Sequence, residues 1–303
     1  MKRHRWKVAI VGAGKVGSVL GRILADNAVP VTGVISRTRA SAQKCARFVR
    51  CKRASTSLDA IPSETSLILI TTPHSAVEGV ALALSQLKHL RFRSLAVCHA
   101  SGMLTATALA PLATRGATVF SFHPLQTFPR DFDPVDILDS IPGIFYGVDG
   151  DRRGLVTARA LGRQLGGHVI NVPPGMRAFY HAACVVASNH LTGLLAVLES
   201  MYAKFGDTRE EFFPVFKPII MATLKNVEGT SPADALSGPV ARGGTETVAQ
   251  HLDAVRRYAP DLLPYFSSLT QETITLAGRK GSLHPDRIEE MRRLVQSKSG
   301  WKR

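Results

Sequence analysis

The chain of 303 residues carries 38 Lys and Arg against 23 Asp and Glu, a net charge of +15, with 45% hydrophobic and 20% charged residues. That balance excludes a low-complexity or disordered chain, and the length leaves room for two hydrophobic cores. No uninterrupted apolar run approaches the roughly 20 residues that cross a bilayer, so no membrane role is expected.

The basic start, Met1 to Arg5, precedes an apolar run as in a secretion signal, but Gly12, Gly14, Lys15 and Arg22 interrupt that run. The expectation is a cytoplasmic protein. Residues 8–11 are an apolar β-run, and Gly12-Ala13-Gly14-Lys15-Val16-Gly17 follows directly, with a helical pattern after it. This G-x-G-x-x-G in strand, turn, helix order predicts a dinucleotide site. Gly12 allows the tight turn, Gly14 lets a pyrophosphate approach the backbone, and Gly17 lets the helix pack on its strand.

A second strand over 31–35 ends at Ser36-Arg37-Thr38-Arg39, where a carboxylate would hold the ribose hydroxyls of NAD. A guanidinium with hydroxyls suits the 2′-phosphate of NADP instead, so NADP(H) is the expected cofactor. Further strands are expected at 52–54, 67–71, 94–98, 117–121, 144–148 and 168–172, alternating with helical segments. The reading is an α/β Rossmann-type domain with a mainly parallel sheet over 1–172, then an all-helical domain over 173–303, with Val172-Pro-Pro-Gly175 at the change. The first helix of the second half, 176 to about 205, is apolar on most sides and should be buried centrally or in a dimer interface. Gly206 ends it, Asp207-Thr-Arg-Glu210 reads as a capping box, and Pro214 and Pro218 should kink or interrupt the next segment. Ser231-Pro232, Thr245, Pro260 and Pro285 open further helices.

The four cysteines at 45, 51, 98 and 184 form no C-x-x-C pair and read as reduced thiols, with no metal site. The positive charge is scattered along the chain without interleaved aromatics, which argues against nucleic acid and for a small anionic substrate.

In a doubly wound sheet the ligand lies outside the carboxyl ends of the strands. Those ends deliver Thr72-Pro73-His74, His99-Ala-Ser101-Gly102 and Ser121-Phe-His123-Pro-Leu-Gln126, and the cofactor is expected to lie against Thr72, Pro73, His74 and the turn opened by His99. Histidines there can donate to a carbonyl or phosphate and exchange a proton near neutral pH. On the long helix His181, Cys184, Ser188 and Thr192 fall on one stripe beside Asn189, facing either a cleft or a neighbouring helix. Gly238-Pro-Val-Ala-Arg242-Gly243 is a glycine-rich loop with one arginine suited to a carboxylate or phosphate.

Together with the N-terminal glycine motif, His99-x-Ser101-Gly102, Ser121-Phe-His123-Pro-Leu-Gln126, Tyr180-His181-Ala-Ala-Cys-Val-Val-Ala-Ser188-Asn189 and Gly238-Pro-Val-Ala-Arg242-Gly243 give the chain a family resemblance. It resembles proteins with a Rossmann-like domain followed by a DUF2520 domain. They are similar to 6-phosphogluconate and β-hydroxyacid dehydrogenases, ketopantoate reductase and pyrroline-5-carboxylate reductase. The resemblance implies an NADP-dependent oxidoreductase and a homodimer through the helical domain. It departs from the β-hydroxyacid and ketopantoate enzymes in one respect: Val185 stands where their catalytic lysine precedes an asparagine, here Asn189. His181 or His123 is then the candidate proton donor, with Asn189 and Ser101 orienting the substrate, and Gln126, Ser188 and Arg242 binding it. The expected reaction is hydride transfer between NADPH and a small carboxylate-bearing carbonyl, of the 2-keto acid kind, or an imine, with the site between the domains. The missing lysine keeps open a non-catalytic NADP(H)-binding sensor or adaptor.

Overall fold

The computed structural model describes residues 6–129, 131–206 and 211–299, so the Asp207 to Glu210 capping box lies outside the described residues, as do the first five residues and the last four. The chain divides into two compact units, Met1–Ser188 and Asn189–Arg303.

The first unit is built on strands β1 (Val8–Val11), β2 (Val31–Ile35), β3 (Ala54–Ser55), β4 (Leu67–Ile70), β5 (Ala96–His99), β6 (Thr118–Pro124), β7 (Phe145–Gly150) and β8 (His168–Asn171). They form one sheet in the order β3-β2-β1-β4-β5-β6-β7-β8, parallel throughout except for the antiparallel β6/β7 pair. The strand order reverses between β1 and β4, which opens the crevice where such sheets take ligands. Helices α1 (Lys15–Asp26), α2 (Arg39–Phe48), α3 (Val77–Ser85), α4 (Ala110–Ala113), α5 (Pro134–Leu138), α6 (Arg152–Gln164) and α7 (Arg177–Val185) complete the unit.

Because side chains alternate along a strand, each central strand feeds both faces. Val8, Ile10, Leu67 and Leu69 enter the core under α1 and α6, while Ala9, Val11, Ile68 and Ile70 enter the core under α3 and α4. Ile10 is fully buried, and a side chain of that size contributes ~1.5–3 kcal/mol on burial. The strand expected at 52–54 is only the two-residue edge strand β3. The pairing of β6 with β7 carries β6 on to Pro124, beyond its expected end.

The helical half adds detail to the sequence reading. The compact sheet unit runs on to Ser188, past the expected boundary at 172, because α7 is bonded into it through Arg177 and Tyr180. A π-turn, Val186–His190, follows α7 and leads without a break into α8 (Leu191–Phe205). Ser188 keeps its place one turn above Cys184, its hydroxyl donating to the Cys184 carbonyl at 2.8 Å. Pro214 and Pro218 do not divide the next segment, since α9 (Phe212–Gly229) is continuous. Pro214 sits in the first turn, where no intrahelical bond is lost, and Pro218 forfeits one bond.

The stretch Arg177–Phe205 has the length and mean hydropathy, 1.4, of a membrane span, and apart from Arg177 its side chains are not buried within the single chain, which leaves the dimer interface as the expected place for its apolar surface. Its first two turns are hydrogen-bonded to strands of the sheet unit, an environment incompatible with lipid around that end.

The second unit continues with α10 (Pro232–Ala235), α11 (Gly238–Ala241), α12 (Thr245–Tyr258), α13 (Leu263–Lys280) and α14 (Pro285–Lys298). Ser231 caps α10, as expected, by accepting the Asp234 N–H at 3.1 Å. Val248, Leu252 and Val255 of α12, Ile274 of α13, and Met291 and Val295 of α14 form its core.

Candidate active site

The turn from β1 into α1 is shaped for an anion. Gly12 has φ +110°, and a Cβ there would meet the Thr71 and Thr72 backbone at 2.6 Å. A Cβ on Gly17 would strike the Gly12 carbonyl and the Thr71 hydroxyl at 2.4 Å, whereas nothing lies within 4 Å of one on Gly14. Gly14 is the N-cap of α1 and offers no capping side chain, so the first N–H groups, including those of Lys15, Val16 and Gly17, face outward with the positive end of the helix dipole. Thr71 Oγ1 donates to the Gly12 carbonyl at 2.6 Å and ties the loop to the end of β4. Thr72 Oγ1 beside it is buried without a partner. Open space at Gly14, free helical N–H groups and an orphaned hydroxyl together fit a dinucleotide pyrophosphate.

Several expected cofactor residues have their side chains engaged within the protein. The Lys15 ammonium is turned to the Phe132 carbonyl, and the Thr38 hydroxyl caps α2 at the Ser41 N–H, 3.3 Å away. Ser36 and the exposed guanidinium of Arg37 remain at the end of β2, and Arg37 makes no ion pair among the described residues. His99 is fully buried: Nε2 donates to the Thr105 carbonyl at 2.9 Å and Nδ1 accepts the Ser101 N–H at 3.2 Å. Both ring nitrogens are therefore used in shaping the turn, and burial lowers its proton affinity, so His99 has no nitrogen left for a cofactor.

The neighbouring loops meet as expected. His74, on the exposed turn after Pro73, places Nδ1 3.3 Å from Ser101 Oγ, whose oxygen accepts the Met103 and Leu104 N–H groups. A Cβ on Gly102 would lie 2.9 Å from His181 Nε2 and 3.0 Å from His123 Nε2, so both imidazoles point at one spot on this turn. Their ring centroids are 5.9 Å apart. His123 Nδ1 is 2.8 Å from the Tyr180 hydroxyl. Burial, then the Arg177 guanidinium and the other histidines, pulls His123 down to about 4, so it is neutral at physiological pH. Burial pushes the Tyr180 phenol above its usual value, so Tyr180 keeps its O–H, and the direction of its bond to Nδ1 follows the His123 tautomer.

Gln126 and Ser188, expected to bind substrate, are engaged locally. The Gln126 amide donates to the Ser140 carbonyl at 2.9 Å and accepts the Thr127 N–H, and Ser188 Oγ donates to the Cys184 carbonyl at 2.8 Å. Asn189 and Arg242 belong to the helical unit, where Arg242 follows α11 and is exposed.

Sequence reading missed Asp149 and Arg177 and gave Tyr180 no role. Asp149 stands opposite Ser121 across β6/β7, takes the Ser121 O–H at 2.7 Å, and pairs with Arg177 at 3.2 Å. The available signal was a lone acid at the end of an apolar strand and a lone arginine opening an apolar helix. Among the described residues no cluster suited to a metal ion is found, and Cys45, Cys51, Cys98 and Cys184 are free thiols.

Family models match a Rossmann-like domain over residues 1–124 and the Domain of unknown function DUF2520 over 144–273. The sequence finds no match among curated proteins. Similar solved structures include a Bacteroides fragilis protein provisionally described as an NADP oxidoreductase, at 20% identity and TM-score 0.66, covering 88% of this chain and 97% of that one. A Thermotoga maritima protein matches at 19% identity and TM-score 0.66, covering 96% and 98%. A pyrroline-5-carboxylate reductase from Coxiella burnetii matches at 12% identity and TM-score 0.62, covering 96% and 99%. At these identities the likeness is one of fold. The chain is a Rossmann-like domain joined to a domain of the DUF2520 family.

Proposed function

We propose that this protein is an NADP-dependent oxidoreductase that reduces a small carboxylate-bearing carbonyl, of the 2-keto acid kind, or an imine. One observation carries the reading: Thr71 ties the glycine loop to the end of β4, His74 after β4 meets Ser101, and both imidazoles are aimed at the adjoining Gly102. The described NADP oxidoreductase and the pyrroline-5-carboxylate reductase among the structural neighbours support the same reading.

NADPH, when bound, would supply the hydride. The α1 N–H groups would hold its pyrophosphate, and Ser36 and Arg37 its 2′-phosphate, a geometry that a guanidinium matches with two donors. Hydride arrival puts charge on the substrate oxygen or nitrogen, so donors must be aimed there. With the Tyr180 O–H donating to its Nδ1, neutral His123 polarises that atom through Nε2–H. It cannot also give up its last proton without becoming an anion, so His181 is the proton donor. Asn189 and Arg242 enter the proposal as orienting and anion-binding groups. The apolar side chains exposed on α8 and α9, such as Leu194, Ile219 and Leu224 around a cavity of about 520 Å³, support a homodimer through the helical unit. A cytoplasmic location goes with this reading.

The test is NADPH consumption against a panel of 2-keto acids and cyclic imines, with calorimetry of NADPH binding. His181→Ala and His123→Ala should lower turnover ~10²-fold or more while leaving NADPH affinity intact. Turnover unaltered in both variants refutes the site. NADPH binding without turnover of any panel member favours the sensor.

A further inference from the structure

We propose that Arg177, clamped by Asp149, is a positioning residue that sets both the geometry of the Ser101–Gly102 turn and the electrostatic field at His123. The proposal rests on the reading of His123 and His181 as the groups that meet the substrate.

Arg177 is the first residue of α7 and only 4% exposed. One guanidinium nitrogen pairs with Asp149 Oδ2 at 3.2 Å and lies 3.4 Å from the Gly147 carbonyl, while the other donates to the Ser101 carbonyl at 2.9 Å. The guanidinium carbon stands 5.2 Å from the centre of the Tyr180 ring. A single side chain thus joins the turn that carries Gly102, the strand β7 and the helix that carries Tyr180 and His181. Asp149 is fixed in turn: Oδ1 accepts the Ala106 N–H at 2.6 Å, Oδ2 accepts the Ser121 O–H, and Ser121 Oγ accepts the Asp149 N–H at 2.9 Å.

Stability is a poor explanation for this arrangement. Burying an ion pair costs desolvation that apolar residues of the same size avoid. A cation at a helix N-terminus opposes the helix dipole. Arg177 Nε is also buried with no partner, a further cost. All three penalties fall on the residue that holds the turn against the imidazoles.

The charged and titratable groups that face His123 are Arg177, Tyr180 and His181 on α7 and His99 on β5; Cys184 lies beside Tyr180, and Asp149 on β7 and His74 after β4 act on His99. Arg177 is the permanent cation among them, and its field adds to burial in disfavouring protonated His123.

The experiment compares Arg177→Met and Arg177→Lys with wild type by NMR titration of the His123 imidazole, NADPH calorimetry and pH-resolved kcat and KM. Arg177→Met should raise the proton affinity of His123 tenfold or more. It should move the acid limb of kcat upward in pH and lower kcat at least tenfold, with NADPH affinity within twofold of wild type. Arg177→Lys should leave the acid limb in place but lower kcat, because an ammonium cannot reach Asp149 and Ser101 with the same fork. An Arg177→Met protein with His123 titration and kcat within twofold of wild type overturns the proposal. If that variant does not fold, Arg177→Lys decides, since wild-type kcat there removes the geometric role. If no panel substrate is turned over by wild type, the NMR titration still tests the field, so failure of the reductase reading and failure of this proposal are told apart.

Discussion

Replacing Gly102 by alanine adds one methyl group at the point where the two imidazoles converge. The backbone of Gly102 is outside the left-handed region, so alanine meets no conformational objection there. The obstacle is contact: the new Cβ would lie 2.2 Å from His181 Cδ2, against roughly 3.5–4.0 Å for carbon atoms in ordinary contact. The His181 ring must therefore retreat by about 1.5 Å, with a smaller adjustment of His123. Crowding of this kind costs about 1–3 kcal/mol of stability. A catalytic group misplaced by about 1 Å costs ~10²-fold in rate. The expectation is a folded Gly102→Ala protein with kcat down ~10²-fold and NADPH affinity unchanged, measured by NADPH consumption and calorimetry. Gly79→Ala, on the exposed face of α3 with nothing within 4 Å, is the control; it should keep full activity and gain up to about 1 kcal/mol of stability from helix propensity. Wild-type kcat in Gly102→Ala would show that His181 and His123 do not act where the geometry gathers them.

Gly14→Ala should leave the melting temperature of the ligand-free protein unchanged, since its Cβ meets nothing, yet weaken NADPH at least tenfold by blocking approach to the backbone; equal affinity by calorimetry would remove the glycine loop from the site. Arg37→Ala should weaken NADPH but not NADH, and equal losses for the two would assign the arginine elsewhere. His123 is held at about 4 in the fold against 6.5 when free, so the unfolded chain binds the proton more readily. The resulting stability is fully present above pH 6.5 and lost as pH falls toward 4, by up to about 3 kcal/mol from this residue. His99 adds in the same direction, and thermal melts across that window should flatten in His123→Gln. Light scattering on the purified protein should give a dimer mass, and Ile219→Glu, at a side chain 65% exposed in the single chain, should shift it toward monomer; a monomeric wild type at micromolar concentration would count against the interface.

The Rossmann half was legible because its signals are local. Apolar β-runs, the glycine turn and the helix after it lie within a few residues of one another, and β1 and β2 fall where the spacing predicts. Strand ends were less legible: β6 extends to Pro124 only because β7 pairs with it from another part of the chain. Of the two outcomes expected at Pro214 and Pro218, a kink or an interruption, α9 does not show the interruption, since the first turn tolerates Pro214 and the helix continues through Pro218. The histidine loops were found from the rule that ligands lie at strand ends, but that rule cannot say which nitrogen is already bonded, and so it assigned His99 to the cofactor when Thr105 and Ser101 hold it.

By itself the sequence determined the fold class, the phosphate loop and the three histidine-bearing turns, since each depends on residues near in the chain whose spacing matches a helix, a strand or a turn. Tertiary structure alone decided that Asp149 meets Ser121 through an antiparallel register, that Arg177 reaches back to Ser101, and that His123 and His181 converge on Gly102. Those contacts join segments distant in sequence. Their electrostatic consequences follow from burial and from a shared low-dielectric space, which only the packed chain creates.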